Sequence, residues 1–308
     1  MARDPRLLYG ESRLVEITSR TIQGRYLTQP SAEANKRILG VLGRAQRLYG
    51  VKLHAFVFLS NHFHILLSIL SLFQLSSFCR HFKGNVSKEL GELYDWTGPL
   101  WARRYSHIEL ANTVDDQINR FLYILDNSCK EGLVASPLEW EGVSSARALY
   151  NGKTDIEATW YNRTAMYRAK LHGRNERCET TETVRLSPLP FLQDSSPQAQ
   201  QNFYQAKVHE IEQKTAQMHQ ENGTRPLGMD AIQRRDPHHR PKELKSSPAP
   251  KFHASNPEDY RALLDARKEK LAAYREAAAR LKKGKTDVSF PEDCFPPPLP
   301  YVESKAPT

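Results

Sequence analysis

The 308-residue sequence contains no apolar run long enough to span a bilayer. Its opening stretch, MARDPRLLYGESRL, lacks the apolar core of a secretory signal. Cysteine is scarce. Cys79, Cys129, Cys178 and Cys294 are scattered without a C-x-x-C spacing, which argues against a zinc knuckle or a disulfide framework and for a reducing compartment. The expectation is a cytoplasmic protein with no membrane partner. An acidic excess is also lacking: 44 Lys and Arg face 35 Asp and Glu, giving a net charge of +9 and a pI near 9.3. That balance favours a polyanionic partner such as nucleic acid and says nothing about fold.

The length allows one sizeable domain plus a second region. Residues 1–150 read as compact. RLVEITSR (13–20), KLHAFVFLS (52–60), HFHILLSI (62–69) and YSHIEL (105–110) predict strands. Residues 31–50, 71–94 and 115–132 predict helices, the first opened by Ser31 and closed by Gly50. The order β-α-β-β-α-β-α matches a ferredoxin-like split βαβ antiparallel sheet in an α+β domain. Residues 151–308 read as an accessory region, mainly helical and extended. Within it, 174–200 and 222–257 are rich in Pro, Ser, Arg and Asn and predict linkers or wrapping segments. Helices are predicted over 196–222 and over 256–284, the latter opened by Asn256 and Pro257 and stopped by Gly284. The tail FPPPLPY predicts an extended segment.

The stretch LSNHFHILLS (59–68) holds the chemistry. Alternation places His62 and His64 on one face of a strand that is otherwise almost wholly apolar. Two imidazoles buried there need hydrogen bonds or a metal; a pair of satisfied core histidines is the bland alternative. On the third helix, a 100° wheel groups Ile118, Leu122, Leu125 and Cys129 on one face, with Phe121 at its edge, as the core contact. Asp116, Asn119, Arg120, Tyr123 and Asn127 fall opposite. Tyr123 and Asn127 are one turn apart. Two imidazole nitrogens and an amide oxygen suit Mg²⁺ or Mn²⁺ when a phosphate completes the shell. Such a metal would polarise a DNA phosphate while the tyrosine attacks phosphorus. The phenol needs positive charge nearby to ionise, and Arg120 and the metal are the candidates. An ordinary surface tyrosine is the alternative.

FVFLSNHFHILLS resembles the histidine-hydrophobic-histidine motif of HUH single-strand endonucleases, in the Asn-His-x-His form of single-tyrosine transposases of the IS200-like family. GPLWARRYSHIEL resembles their hLWqgRYks segment, and NRFLYILDNSCKEGLVASPLEWEGVSS resembles lrYIhlNPVrAGLVxxPxxYxWSS. The nearest subgroup by these motifs is the REP-associated tyrosine transposases, and the likeness runs over roughly residues 10–150. The resemblance implies an HUH core in which His62, His64 and Asn127 bind Mg²⁺ or Mn²⁺ and Tyr123 is the nucleophile. It implies cleavage and rejoining of single-stranded or hairpin DNA through a 5′-phosphotyrosine, with no nucleotide cofactor. A homodimer is compatible with it, with Tyr123 acting in its own subunit or a partner's. Two departures stand out: Asn127-Ser128-Cys129 replaces Asn-Pro-Val, and Val143 replaces the tryptophan before Ser144 and Ser145. The first rival is a catalytically inactive derivative that binds hairpin or repeat DNA. The second is a relaxase or replication initiator, whose three-histidine pattern is absent.

Other candidates are weaker. His54 reads as a core histidine or as a supporting group behind the metal. Glu109, on one face of YSHIEL with His107, could support the metal or pair with an arginine. His238 and His239 read as a solvated basic loop. The basic face of 267–285 reads as a solvated helix face or a phosphate contact.

Overall fold

The computed structural model describes residues 5–10, 12–241, 250–285 and 287–298. In chain order the elements are β1 (Leu14–Arg20), α1 (Ala32–Tyr49), β2 (Lys52–Phe58), β3 (His62–Ser68), α2 (Leu72–Leu93), β4 (Ser106–Leu110), α3 (Val114–Leu125), α4 (Asn127–Lys130), α5 (Ala146–Tyr150), β5 (Asp155–Tyr161), α6 (Arg163–Leu171), β6 (Glu179–Arg185), α7 (Pro197–Asn222), α8 (Met229–Gln233), β7 (Phe252–His253) and α9 (Pro257–Lys282).

Local chemistry sets the helix boundaries. Ser31, Ser71, Thr113, Ser196 and Asn256 each accept a backbone N–H from the first turn of the helix that follows. Gly50 ends α1 with a φ of 65°, a left-handed conformation that a Cβ would strain. One expected helix divides: 115–132 becomes α3 and α4, which meet at Asp126. The chain stays helical through the junction, with Asp126 N–H donating to Leu122 O at 2.8 Å, so Asn127 still lies a turn beyond Tyr123.

The main sheet has the order β2-β3-β1-β4-β7. Its first four strands are antiparallel, the ferredoxin-like arrangement that the element order predicts. The short β7 adds in parallel outside β4, with Phe252 beside Glu109. Residues of odd number on β1 and β3 face the long helices: Lys83 of α2 donates to Ser19 Oγ at 2.7 Å, and Phe63 meets Phe82 edge-on. Residues of even number point the other way, so Glu16, Thr18, Arg20, His62 and His64 share the opposite face. α3 covers that face.

The later half of the chain shares the main core. Ala158, Val184, Leu189, Tyr204 and Ile211 are buried in one cluster with Phe56, Phe63 and Phe121, each large apolar side chain contributing on the order of 1.5–3 kcal/mol. β5 and β6 form a hairpin against α1, where Glu182 is buried and paired with Arg44 and Arg47. That hairpin replaces much of the linker expected over 174–200, because its outward positions are polar (ETTETVR) and hide the alternation. A second cluster joins Leu7, Tyr9, Ala111 and Phe252 to Leu263 and Leu271 of α9. Of the expected extended segments, 242–249 and 299–301 lie outside the described residues.

The closeness of hairpin and helix rests on Gly40, where an added Cβ would stand 1.9 Å from Thr159 O. A glycine-to-alanine change inside a helix ordinarily gains about 1 kcal/mol. Here overpacking of about 1–3 kcal/mol opposes it. Gly40→Ala should therefore lower the midpoint of urea unfolding. Gly84→Ala in α2, where nothing stands within 4 Å of the new methyl, should raise it.

Candidate active site beneath helix α3

Three elements converge on the even-numbered face of the sheet. β3 contributes His62 and His64, β1 contributes Glu16, and the α3–α4 segment contributes Arg120, Tyr123 and Asn127. Glu16 is fully buried. His64 Nδ1 donates to its Oε1 at 2.5 Å, and Arg120 Nε donates to Oε2. Burial drives this carboxyl toward protonation, but the hydrogen bonds and charges of His64 and Arg120 outweigh it and hold the group below its ordinary pKa. The carboxylate is therefore ionised and takes up Nδ1 of His64, which leaves Nε2 as the ring nitrogen not held by Glu16.

His62 is held by a different route. Asn61 Nδ2 donates to Gly24 O at 3.2 Å, which fixes the amide and turns Oδ1 toward His62 Nδ1 at 2.7 Å. That bond puts the proton on Nδ1. Burial pushes the His62 pKa down to about 3, helped by His64 and Arg20. Its Nε2 then faces Asn127 Oδ1 at 3.3 Å. Two acceptors opposed at that distance repel one another unless a cation lies close to both. Nδ1–H donated to an oxygen with Nε2 free is the arrangement of a metal-ligating histidine. The donor set thus fits a cation. Among the described residues no group of three or more His, Cys, Asp or Glu side chains suits a metal; the oxygen that faces His62 Nε2 is the Asn127 amide.

Tyr123 lies against this cluster. Its ring meets His64 edge-on at 5.5 Å between centroids, and the Arg120 guanidinium and Lys130 ammonium sit 4.2 and 4.7 Å from its centroid. Burial nevertheless raises the Tyr123 pKa, with Arg120 opposing and Glu16 adding to the rise. Arg120 thus acts in the expected direction, lowering the phenol's pKa, but burial outweighs it. It is also tied to Glu16 and covers the ring face.

The helical wheel also needs correction. Asp116, Arg120 and Asn127 are buried, while Ile118 and Leu122 are only half-buried. The polar stripe of α3 faces the sheet, and Phe121, Ile124 and Leu125 pack beside it. Asp116 accepts from Ser255 N–H and from Thr113 Oγ, which ties α3 to the segment after β7.

Other side chains separate from the site. Glu109 pairs with Val15 and so lies on the opposite face of the sheet, where it accepts the backbone N–H groups of Tyr9 and Gly10. That face is the one turned away from His62 and His64. His107 Nε2 bonds Leu7 O, and His54 is a core histidine held by Ser187 O and Ser68 Oγ. His238 bonds Tyr94 O and His239 stacks on Tyr26, so the pair is docked onto the first half of the chain. On α9, Lys270 donates to Leu8 O and Lys268 pairs with Asp265, which leaves that basic face partly committed internally. A cleft of about 170 Å³ adjoins His62, walled by Tyr26, Asn61, Glu131, Leu227 and Arg235.

Glu16 is the residue that sequence reasoning missed. Its signal was an acid in phase with Thr18 and Arg20 inside an apolar strand. Removing one partner of a buried ion pair costs about 3–5 kcal/mol, because the other charge is left unpaired. Glu16→Gln should destabilise the fold by a few kcal/mol on that basis. Glu16→Gln with Arg120→Met should lose less than the two single changes summed, a coupling readable as a double-mutant cycle in denaturant unfolding.

Three comparisons bear on ancestry. No curated protein matches. Among solved structures, the REP-associated tyrosine transposase bound to a REP hairpin is 19% identical, covering 49% of this chain and 86% of that one, with a TM-score of 0.42. A protein of Deinococcus radiodurans R1 named as a transposase is 18% identical, covering 40% and 95%, with a TM-score of 0.28. Residues 25–124, which include His62, His64 and Tyr123 and stop before Asn127, match the model of the family described as Transposase IS200 like, so this segment is similar to the IS200-like transposases.

Proposed function

We propose that this protein cleaves and rejoins single-stranded or hairpin DNA through a covalent bond to Tyr123. The observation that carries the reading is the meeting of a phenol, two imidazoles and an amide oxygen on one face of the sheet. His62, His64 and Asn127 would hold Mg²⁺ or Mn²⁺, which supplies Lewis-acid polarisation of a phosphodiester when bound.

The chain's own residues account for the rest. Tyr123 Oη attacks phosphorus, the bond to the 3′-oxygen breaks, and the products are a 5′-phosphotyrosine and a free 3′-OH. The phosphotyrosine conserves the energy of the broken bond, so rejoining needs no nucleotide cofactor. Burial keeps the phenol protonated in the free protein, which limits attack in the absence of DNA. Glu16 acts as a positioning residue: it holds His64 by Nδ1 and fixes, through Arg120, the rotation of α3 that presents Tyr123. Tyr123 lies against His64 of its own chain, which supports its serving its own subunit.

Tyr123→Phe removes one hydroxyl from a half-buried ring and should leave stability nearly unchanged, yet abolish the covalent protein–DNA adduct on denaturing gels. Peptide mapping of the wild-type adduct should find DNA on Tyr123; a label on Tyr105 or Tyr94 would refute the assignment. A catalytically inactive DNA-binding derivative would bind the same DNA and give no adduct at all.

His62→Ala or His64→Ala should lower cleavage by about 10²-fold or more, the loss seen when catalytic electrostatic groups are removed. Mn²⁺ titration followed by electron paramagnetic resonance should show weakened binding in both variants. Undiminished Mn²⁺ affinity in the double variant would overturn the ligand assignment.

A further inference from the structure

The cleft of about 170 Å³ beside His62 lies at the strand end where the candidate active site opens. It is well below the roughly 300–1,000 Å³ of pockets that enclose drug-sized molecules, so it takes one small flat group rather than a whole nucleotide. Both halves of the chain build it. The turn between β2 and β3 supplies Asn61, the residues after α4 supply Glu131 and Leu133, and Leu227, Ile232 and Arg235 come from α8 and its flanks.

The walls are set by the fold itself. The N–H groups of Leu227 and Gly228 donate to Gly132 O and Leu133 O, both at 2.9 Å. Gln29 Nε2 donates to Ile232 O at 3.0 Å and to Gln233 O at 2.8 Å. Arg235 Nη1 donates to Tyr26 Oη at 3.2 Å, and His239 stacks on the Tyr26 ring at 5.5 Å between centroids. A site ordered in advance loses less on binding than one that must first be assembled.

The lining chemistry points to a nucleobase. Leu59, Leu133, Leu227 and Ile232 make the cleft apolar, and the Arg235 guanidinium adds a planar surface of the kind on which splayed bases lie. Its charges balance: among the described residues of the lining, Glu131 is the one carboxylate and Arg235 the one guanidinium. A carboxylate repels the backbone phosphates, so a strand passing here keeps them outside and turns a base inward. Burial raises the Tyr123 pKa and the Glu131 charge adds to the rise, which puts Glu131 within electrostatic reach of the phenol.

An ionised carboxylate only accepts hydrogen bonds. Adenine, cytosine and guanine each offer it an exocyclic amino group. Thymine offers one ring N–H flanked by two carbonyl oxygens, which the carboxylate repels. We propose that this cleft receives an unpaired base next to the phosphate attacked by Tyr123, and that Glu131 selects bases bearing an amino group against thymine. The identity of the ligand as DNA rests on the cleavage reading, and the test separates the two.

Fluorescence anisotropy with labelled single strands of deoxycytidine alone or thymidine alone compares two pyrimidines of similar size. Wild-type protein should bind the thymidine strand about tenfold more weakly, the discrimination of one well-placed hydrogen-bonding pair. Glu131→Gln should bring that ratio close to one, because an amide both donates and accepts and so pairs with thymine as well. Glu131 is exposed, so the fold is spared. Leu227→Trp, at a position 41% exposed, should fill the cleft mouth and erase the ratio too, leaving sequence-independent binding. Equal Kd values for the two strands in wild type, or a ratio that survives Glu131→Gln, would overturn the assignment even if an adduct forms on Tyr123. Discrimination that both variants lose, with no adduct in wild type, would leave the cleft standing and remove the cleavage reading.

Discussion

The Glu16 carboxylate, ionised with no exposure to solvent, is the constraint on which the site depends. Placing such a group in a protein interior costs several kcal/mol even after relaxation, and only well-placed partners offset it. His64 and Arg120 are those partners, and they come from different elements. β1 therefore requires β3 to present an imidazole to it. It also requires α3 to turn its charged stripe toward the sheet rather than toward water. Tyr123 and Asn127 follow from that rotation, being roughly one and two turns beyond Arg120 on the same side of the helix. The tyrosine has no bond of its own to the carboxylate, yet its place is determined by it.

Much of this was legible in the sequence, for identifiable reasons. Strand alternation put His62 and His64 on one face, because a period of two leaves no freedom once the strand is recognised. The split βαβ order followed from strongly patterned segments with good caps at Ser31 and Ser71. Glu16 and the inward rotation of α3 were not legible. A wheel sorts residues by polarity and assumes the polar side meets solvent, whereas a buried ion pair inverts that rule. The hairpin β5–β6 was hidden for a related reason: ETTETVR is polar at every position but Val184, and it becomes a strand only because α1 offers Gly40 and Gly43 as a flat seat. The placing of Glu109 shows the limit of same-face reasoning within a single strand. Its partners across β1 decide which side it occupies, and those become known only with the register.

The second half of the chain bears on the first through specific contacts. Lys214 of α7 pairs with Asp126 at 2.8 Å, at the junction between α3 and α4 where Tyr123 gives way to Asn127. Thr215, the next residue of α7, is buried close to Cys129. The loop after α4 is pinned as well, since Gly132 O and Leu133 O accept the N–H groups of Leu227 and Gly228. Site geometry is thus braced from outside the segment that the family model matches.

The parallel pairing of β7 with β4 has a consequence for biosynthesis. A two-residue strand from near the end of the chain closes an edge formed early in it. Until that strand emerges, β4 presents unpaired amides and carbonyls to any neighbouring chain, the arrangement that promotes edge-to-edge association. Loop closure over so long a span is slow compared with the helices and hairpins nearby. A nascent chain that has finished the first four strands of its main sheet therefore still exposes an open edge, and slowing the ribosome ahead of residue 252 would lengthen that interval.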